Sequence, residues 1–168
     1  MKTKTLKLTM TSLFAALICV ATLIIRITTM GNGYIHLGDA FVVLSGILLG
    51  PVSGALAAGI GSAFADVFAG YIQYAVATFI IKALMAMISG LLYNKALHFI
   101  HKKVLKCIIS STIAGGLMIG GYLLFEIILY GFGAVASVPG NAVQAIASII
   151  ISSILVTPLE KVFKALYP

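Results

Sequence analysis

The sequence predicts an all-α integral membrane protein: one transmembrane domain over residues 1–168, built as a six-helix bundle with a short second helix and both termini cytoplasmic. Three observations predict it. The 168 residues are 61% hydrophobic and 9% charged, with mean hydropathy +1.17, whereas a soluble domain carries about 25% charged residues. At roughly 20 residues per span, six apolar runs and their short connections use the whole chain. The basic residues, finally, gather at alternate connections, as they do when loops alternate across a membrane.

Helix 1 is read over residues 6–27. Lys2, Lys4 and Lys7 precede it as they would a signal peptide, but the apolar run is long for one and no clean small-x-small cleavage site follows, so a retained helix is expected. Helix 2, residues 39–49, ends at the Gly50-Pro51 breaker and is too short to span alone at 1.5 Å per residue. Helix 3 is read over 52–69, helix 4 over 75–97, helix 5 over 105–130 and helix 6 over 141–166. Cys19 and Cys107 lie inside apolar segments and offer no disulfide or metal framework.

Six spans put Lys2, Lys4 and Lys7, then Lys95, Lys102, Lys103 and Lys106, then Lys161 and Lys164 on one side, which the positive-inside rule makes cytoplasmic. The net charge of +7 is therefore a topology signal and not a nucleic-acid patch. The other side is built from "RITTMGNGYIHLG", "GYIQYAVA" and "YGFGAVASVPGN". These outward connections are the elaborate ones, and loops on a rigid scaffold tend to carry function.

Four ionisable residues fall in the outer half of the spans. Asp39 opens helix 2, Asp66 nears the end of helix 3, Lys82 lies about seven residues into helix 4, and Glu126 sits one turn below the end of helix 5. Ionisable groups at membrane depth cost several kcal/mol unless paired or hydrated, which marks them as functional candidates. Structural readings stand beside that one. Asp39 after Gly38 suits an N-cap; Asp66 and Lys82, on adjacent helices at similar depth, suit a mutual ion pair; Glu126 is near enough to the surface to be hydrated. Tyr34, Tyr71, Tyr74 and Tyr130 suit either an interfacial belt or a stacking surface for a flat ring. His36 in loop 1 reads as a solvated residue or a ligand contact. Asn141 suits a cap for helix 6 and Gln144 suits hydrogen bonds to its neighbours; on the functional reading both would point into the same outer cavity.

No metal site, catalytic pair or ATP-binding motif is found: G-x-x-x-x-G-K-[ST], H-E-x-x-H and G-x-S-x-G are all absent. The chain is equipped to bind and not to energise. On helix 1, Thr11, Ala15 and Cys19 form a small-residue ridge at spacing four, doubled by Ser12 and Ala16. Such ridges let helices approach closely, within a bundle or between proteins.

The ordered series "GYIHLGD", "GILLGPVSGALAAGIGSAFADVFAGY" and "ATFIIKALMA" resembles the substrate-binding S component of energy-coupling factor (ECF) vitamin transporters, in the branch holding riboflavin-type and hydroxymethylpyrimidine- or pyridoxine-type members. The resemblance covers roughly residues 8–90; beyond them it rests on length, topology and basic loops. It implies a six-helix bundle with a vitamin pocket near the outer face, lined by loop 1 and the outer ends of helices 4 to 6. It implies partners as well: a transmembrane coupling subunit and two cytosolic ATPases, which use the ATP, so that this chain needs no cofactor of its own. The family's Ala-xxx-Ala docking signature falls here on Thr11, Ala15 and Cys19, or on Ser12 and Ala16. Members are held to topple in the membrane, carrying the pocket inward.

The expectation is thus a prokaryotic cell-membrane subunit, not an enzyme, that binds a hydroxymethylpyrimidine or B6-type vitamin, with riboflavin the weaker fit. Tyr34, His36, Asp39, Asp66, Tyr71, Tyr74, Lys82, Glu126, Tyr130, Asn141 and Gln144 form its candidate site. Gly33 and Gly38 would let loop 1 turn over that pocket. The rivals are a self-sufficient ion-coupled transporter with Asp66 or Glu126 as proton carrier, and an intramembrane enzyme or structural subunit.

Overall fold

The computed structural model describes residues 2–24, 26–28 and 34–166. Among them lie six α-helices: α1 (Lys2–Ile24), α2 (Gly38–Leu49), α3 (Pro51–Ala69), α4 (Ala75–Leu91), α5 (Lys103–Tyr130) and α6 (Val138–Leu166). A tight helical turn, Ile72–Tyr74, precedes α4, a π-helical segment, Leu92–Ala96, follows it, and a 3-10 stretch, Gly131–Ser137, leads into α6. Among the described residues four apolar stretches are long enough to cross a membrane: Lys4–Ile24, Pro51–Ala69, Ile72–Ala96 and Lys103–Ala165, the last holding both α5 and α6.

Helix 1 ends earlier than the expected residue 27. The chain instead forms a small antiparallel hairpin of β1 (Arg26–Thr28) and β2 (Tyr34–His36), with Arg26 opposite His36 and Thr28 opposite Tyr34. Ile27 and Thr28 are β-branched, and such side chains favour strand over helix. Gly33, expected to turn this loop, lies outside the described residues. Helix 6 starts at Val138 instead of residue 141, so Asn141 sits inside the first turn and does not cap it.

The short α2 is the centre of the bundle. It packs against α1, α3, α4 and α6, and Val42, Val43 and Leu44 are fully buried. Apolar residues all round a helix fit an element enclosed on every side. Closeness is made possible by glycine: a Cβ on Gly46 would stand 1.9 Å from the Ala86 carbonyl oxygen of α4, and one on Gly54 of α3 would stand 2.5 Å from the Gly46 Cα. The helix then stops where expected, at Gly50 with φ 85°, and Pro51 opens α3.

The outer surface is apolar: Phe64, Phe68, Val76, Ile80, Leu124, Ile128 and Ile154 are all exposed. Small polar residues such as Ser45, Ser89, Ser110 and Ser152 are buried between helices instead. Large apolar side chains outward and small ones inward is the packing that lipid selects.

Candidate functional site

Of the ionisable residues expected at one depth, Lys82 and Asp39 meet, toward the end of the bundle opposite the lysine-rich connections. Lys82 reaches from α4 into the centre, and its Nζ donates to Asp39 Oδ1 at 2.6 Å. Depth along adjacent helices suggested Asp66 for that role; the partner is Asp39 of α2, which packs against α4 as α3 does. Asp39 does not cap α2 either. The helix already begins at Gly38, its preceding residue Leu37 makes no side-chain cap, and the carboxylate turns to tertiary partners.

Those partners form a closed set. Gln144 of α6 donates from Nε2 to Asp39 Oδ2 at 2.7 Å, and its Oε1 accepts the His36 backbone N–H at 3.1 Å. The Gly38 N–H donates to His36 Nδ1 at 3.1 Å, so the neutral ring carries its proton on Nε2. His36 is buried, not solvated, and burial lowers its pKa to about 4, with the Lys82 charge acting the same way and the Asp39 charge opposing. Gly38 permits the close seat of this corner: a Cβ there would stand 2.1 Å from Thr22 Oγ1 of α1. One network thereby ties β2, α2, α4 and α6 together, with the hairpin held against the start of α2.

Beside it, α4 and α5 face each other through two polar ladders of spacing four. One runs from Tyr74, at the end of the turn before α4, to Thr78 and Lys82 on α4; the other is Tyr122 and Glu126 on α5. The Tyr74 hydroxyl donates to Glu126 Oε1 at 3.5 Å, Thr78 Oγ1 and the Tyr122 hydroxyl share a hydrogen bond at 3.0 Å, and the Lys82 ammonium stands 5.1 Å from the Tyr122 ring centroid. That last distance is within reach of a cation–π contact. Ser137, from the stretch before α6, donates to Glu126 Oε2. Glu126 is 4% exposed, so it is enclosed where surface hydration had been one of the readings.

The tyrosines divide. Tyr74 is buried and packs edge-on against Tyr71 at 6.3 Å and Phe125 at 5.4 Å. Tyr71 is half-buried, while Tyr130, 47% exposed, lies beside the Tyr74 hydroxyl. The Tyr34 side chain lies outside the described residues. Asp66 is buried at the end of α3, where its carbonyl accepts the Tyr71 N–H at 2.8 Å, and Asn141 is half-buried at the start of α6. Thr78, Tyr122 and Ser137 were missed from sequence; the four-residue spacing to Lys82 and Glu126 was the available signal for the first two.

Over residues 2–161 the sequence matches the family described as "ECF-type riboflavin transporter, S component". This chain belongs to that family. It is also 35% identical over 147 residues to a Pyrococcus woesei protein described as "Uncharacterized protein in gap 3'region", covering 86% of this chain and 95% of that one. The S component is thus a membrane protein, the substrate-binding subunit of a vitamin transporter and no member of an enzyme family. Membership implies both a vitamin substrate and association with an ECF module.

The two small-residue ridges of this S component's first helix have different surroundings. A Cβ on Gly61 of α3 would stand 2.4 Å from the Ala15 carbonyl oxygen, so Ala15 marks the side of α1 that packs inward. Thr11 and Cys19 are half-buried on that same side, whereas Ser12 and Ala16 are exposed, alongside Leu13, Leu17 and Val20.

Proposed function

We propose that this S component captures a small heteroaromatic vitamin or precursor, of the hydroxymethylpyrimidine or B6 type, and delivers it inward by toppling against a coupling subunit. Six crossings with both termini cytoplasmic place the hairpin outside and the lysine-rich end inside. One observation carries the reading: in a chain belonging to a vitamin S-component family, three acids, a lysine, two amides and several tyrosines gather at one end of the bundle, beneath a hairpin. Rings bearing nitrogens and hydroxymethyl groups need such a mixture of flat faces and hydrogen-bonding groups. Tyr34, Tyr71, Tyr74 and Tyr130 are the proposed stacking surfaces, and Asp66, Glu126 and Asn141 the proposed hydrogen-bonding groups. Asp39, Lys82, Gln144 and His36 satisfy one another and hold the hairpin at the mouth.

The family description favours riboflavin as a second reading of the ligand. Calorimetric titration of the purified chain with hydroxymethylpyrimidine, pyridoxine and riboflavin separates the two. Tight one-to-one binding of either small ring supports the first reading, and tight binding of riboflavin alone replaces it. Toppling needs the partners, namely one coupling subunit and two cytosolic ATPases. Uptake that proceeds in their absence and collapses with the ion gradient would instead make the chain a secondary transporter, with Asp66 or Glu126 as proton carrier.

A further inference from the structure

The lysine-rich end holds a recess at the opposite end of the bundle from the proposed vitamin site. A cavity of about 410 Å³ is lined by Lys7 of α1, Ile47, Leu48 and Leu49 of α2, Asn94 of the π-helical segment, and Glu160, Phe163 and Lys164 of α6. Its size falls in the range of about 300–1,000 Å³ usual for small-molecule sites. One side is apolar, formed by the last turn of α2 and Phe163; the other carries two cations. Among the described residues the ion pairs are Lys82–Asp39 and Lys103–Glu160, so neither Lys7 nor Lys164 is committed to one. The acid in the wall is already answered. Glu160 takes Lys103 and accepts the Tyr93 hydroxyl at 2.6 Å, and Tyr93 in turn lies under Lys106, 4.5 Å from its ring centroid. Asn94 is fixed by donating to the Ile47 carbonyl at 3.0 Å, which holds the π-helical segment against the end of α2.

The cavity is therefore amphipathic, with a net positive rim because Glu160 is already paired with Lys103, and it opens at the end of a bundle whose flanks are apolar. From this charge complementarity we infer that it seats one anionic phospholipid, its phosphodiester between Lys7 and Lys164 and the start of an acyl chain along Leu48 and Phe163. Basic recesses between transmembrane helices bind anionic headgroups in this way, each lysine adding to the attraction. The site is independent of which vitamin the outer end binds.

The test is native mass spectrometry of the delipidated chain, offered phosphatidylglycerol and phosphatidylcholine with identical acyl chains. One phosphatidylglycerol per chain is expected, preferred roughly tenfold or more, as two lysines near an anionic group provide. Lys7→Gln/Lys164→Gln should reduce the preference to parity, while Lys95→Gln/Lys102→Gln, at the same end but outside the cavity, should leave it intact. Leu48→Trp should expel the lipid with both lysines present. Equal retention of the two lipids by the unaltered chain overturns the inference. So does an equal loss in both lysine variants, or a lipid that survives Leu48→Trp. Displacement by water-soluble glycerol phosphate as effective as displacement by lipid would make this a free-phosphate site and overturn it also.

Discussion

Lys82→Met removes one partner of an ion pair whose side chains are 0% and 1% exposed. Asp39 is left charged in the middle of the bundle, and breaking a buried pair in this way costs about 3–5 kcal/mol. Two features place the change at the low end. Methionine nearly matches the lysine stem, and Gln144 continues to donate to Asp39 Oδ2 at 2.7 Å. About 3 kcal/mol corresponds to a fall in melting temperature of roughly 6–12 °C for a chain of this size. Far-UV circular dichroism on heating in detergent measures it. Lys82→Met/Asp39→Asn should recover at least half of the loss, because the neutral amide still accepts from Gln144 and no charge is stranded. Vitamin binding should fail in the single variant, since the network that seats the hairpin is broken. A melting shift of under about 2 °C, or a double variant no more stable than the single one, would refute the reasoning.

Three further outcomes are expected. Gly46→Leu forces a side chain where a Cβ alone would stand 1.9 Å from the Ala86 carbonyl, so the variant should lose about 1–3 kcal/mol or more by overpacking, read as a lower melting temperature. His36 has its pKa lowered from 6.5 to about 4, so between those values the unfolded chain binds more protons and stability rises with pH. Its full contribution is present above pH 6.5 and is lost as pH falls toward 4, by about 3 kcal/mol at 1.36 kcal/mol per unit; thermal melts across that window should show it, and His36→Asn should remove it. Ser12→Leu/Ala16→Leu enlarges the exposed ridge of α1, so uptake with the ECF module should fall while calorimetric vitamin binding stays unchanged; loss of binding would place the ridge in the fold instead.

The long apolar runs made most of the helices legible: the expected residues 52–69 became Pro51–Ala69, and 105–130 became Lys103–Tyr130. Helix 1 was read three residues too long because "LIIRI" stays apolar around a single arginine, and hydropathy does not distinguish a helix from a strand there. The meeting of Asp39 and Lys82 at one end of the bundle was legible in part, because depth follows directly from counting residues along each span. Partner choice was not. Lys82 and Asp39 are 43 residues apart, and Gln144 and Asp39 are 105 apart. Both contacts exist because α2 is inserted at the centre of the bundle, which depends on the close approach of Gly46 to α3 and α4. The polar ladder was readable in principle, since Tyr74, Thr78 and Lys82, and Tyr122 and Glu126, repeat at the helical spacing that puts side chains on one face. On α1, spacing alone left two ridges equal; packing against Gly61 turns Ala15 inward and leaves Ser12 and Ala16 exposed.

The most direct measurement is native mass spectrometry of the chain purified from cells grown in rich medium, with the released small molecules identified. One hydroxymethylpyrimidine or B6-type vitamin per chain is the expected result. A chain that emerges empty, and that binds no B vitamin when titrated, would contradict a vitamin-capturing role for the end of the bundle where Asp39, Lys82 and Gln144 meet.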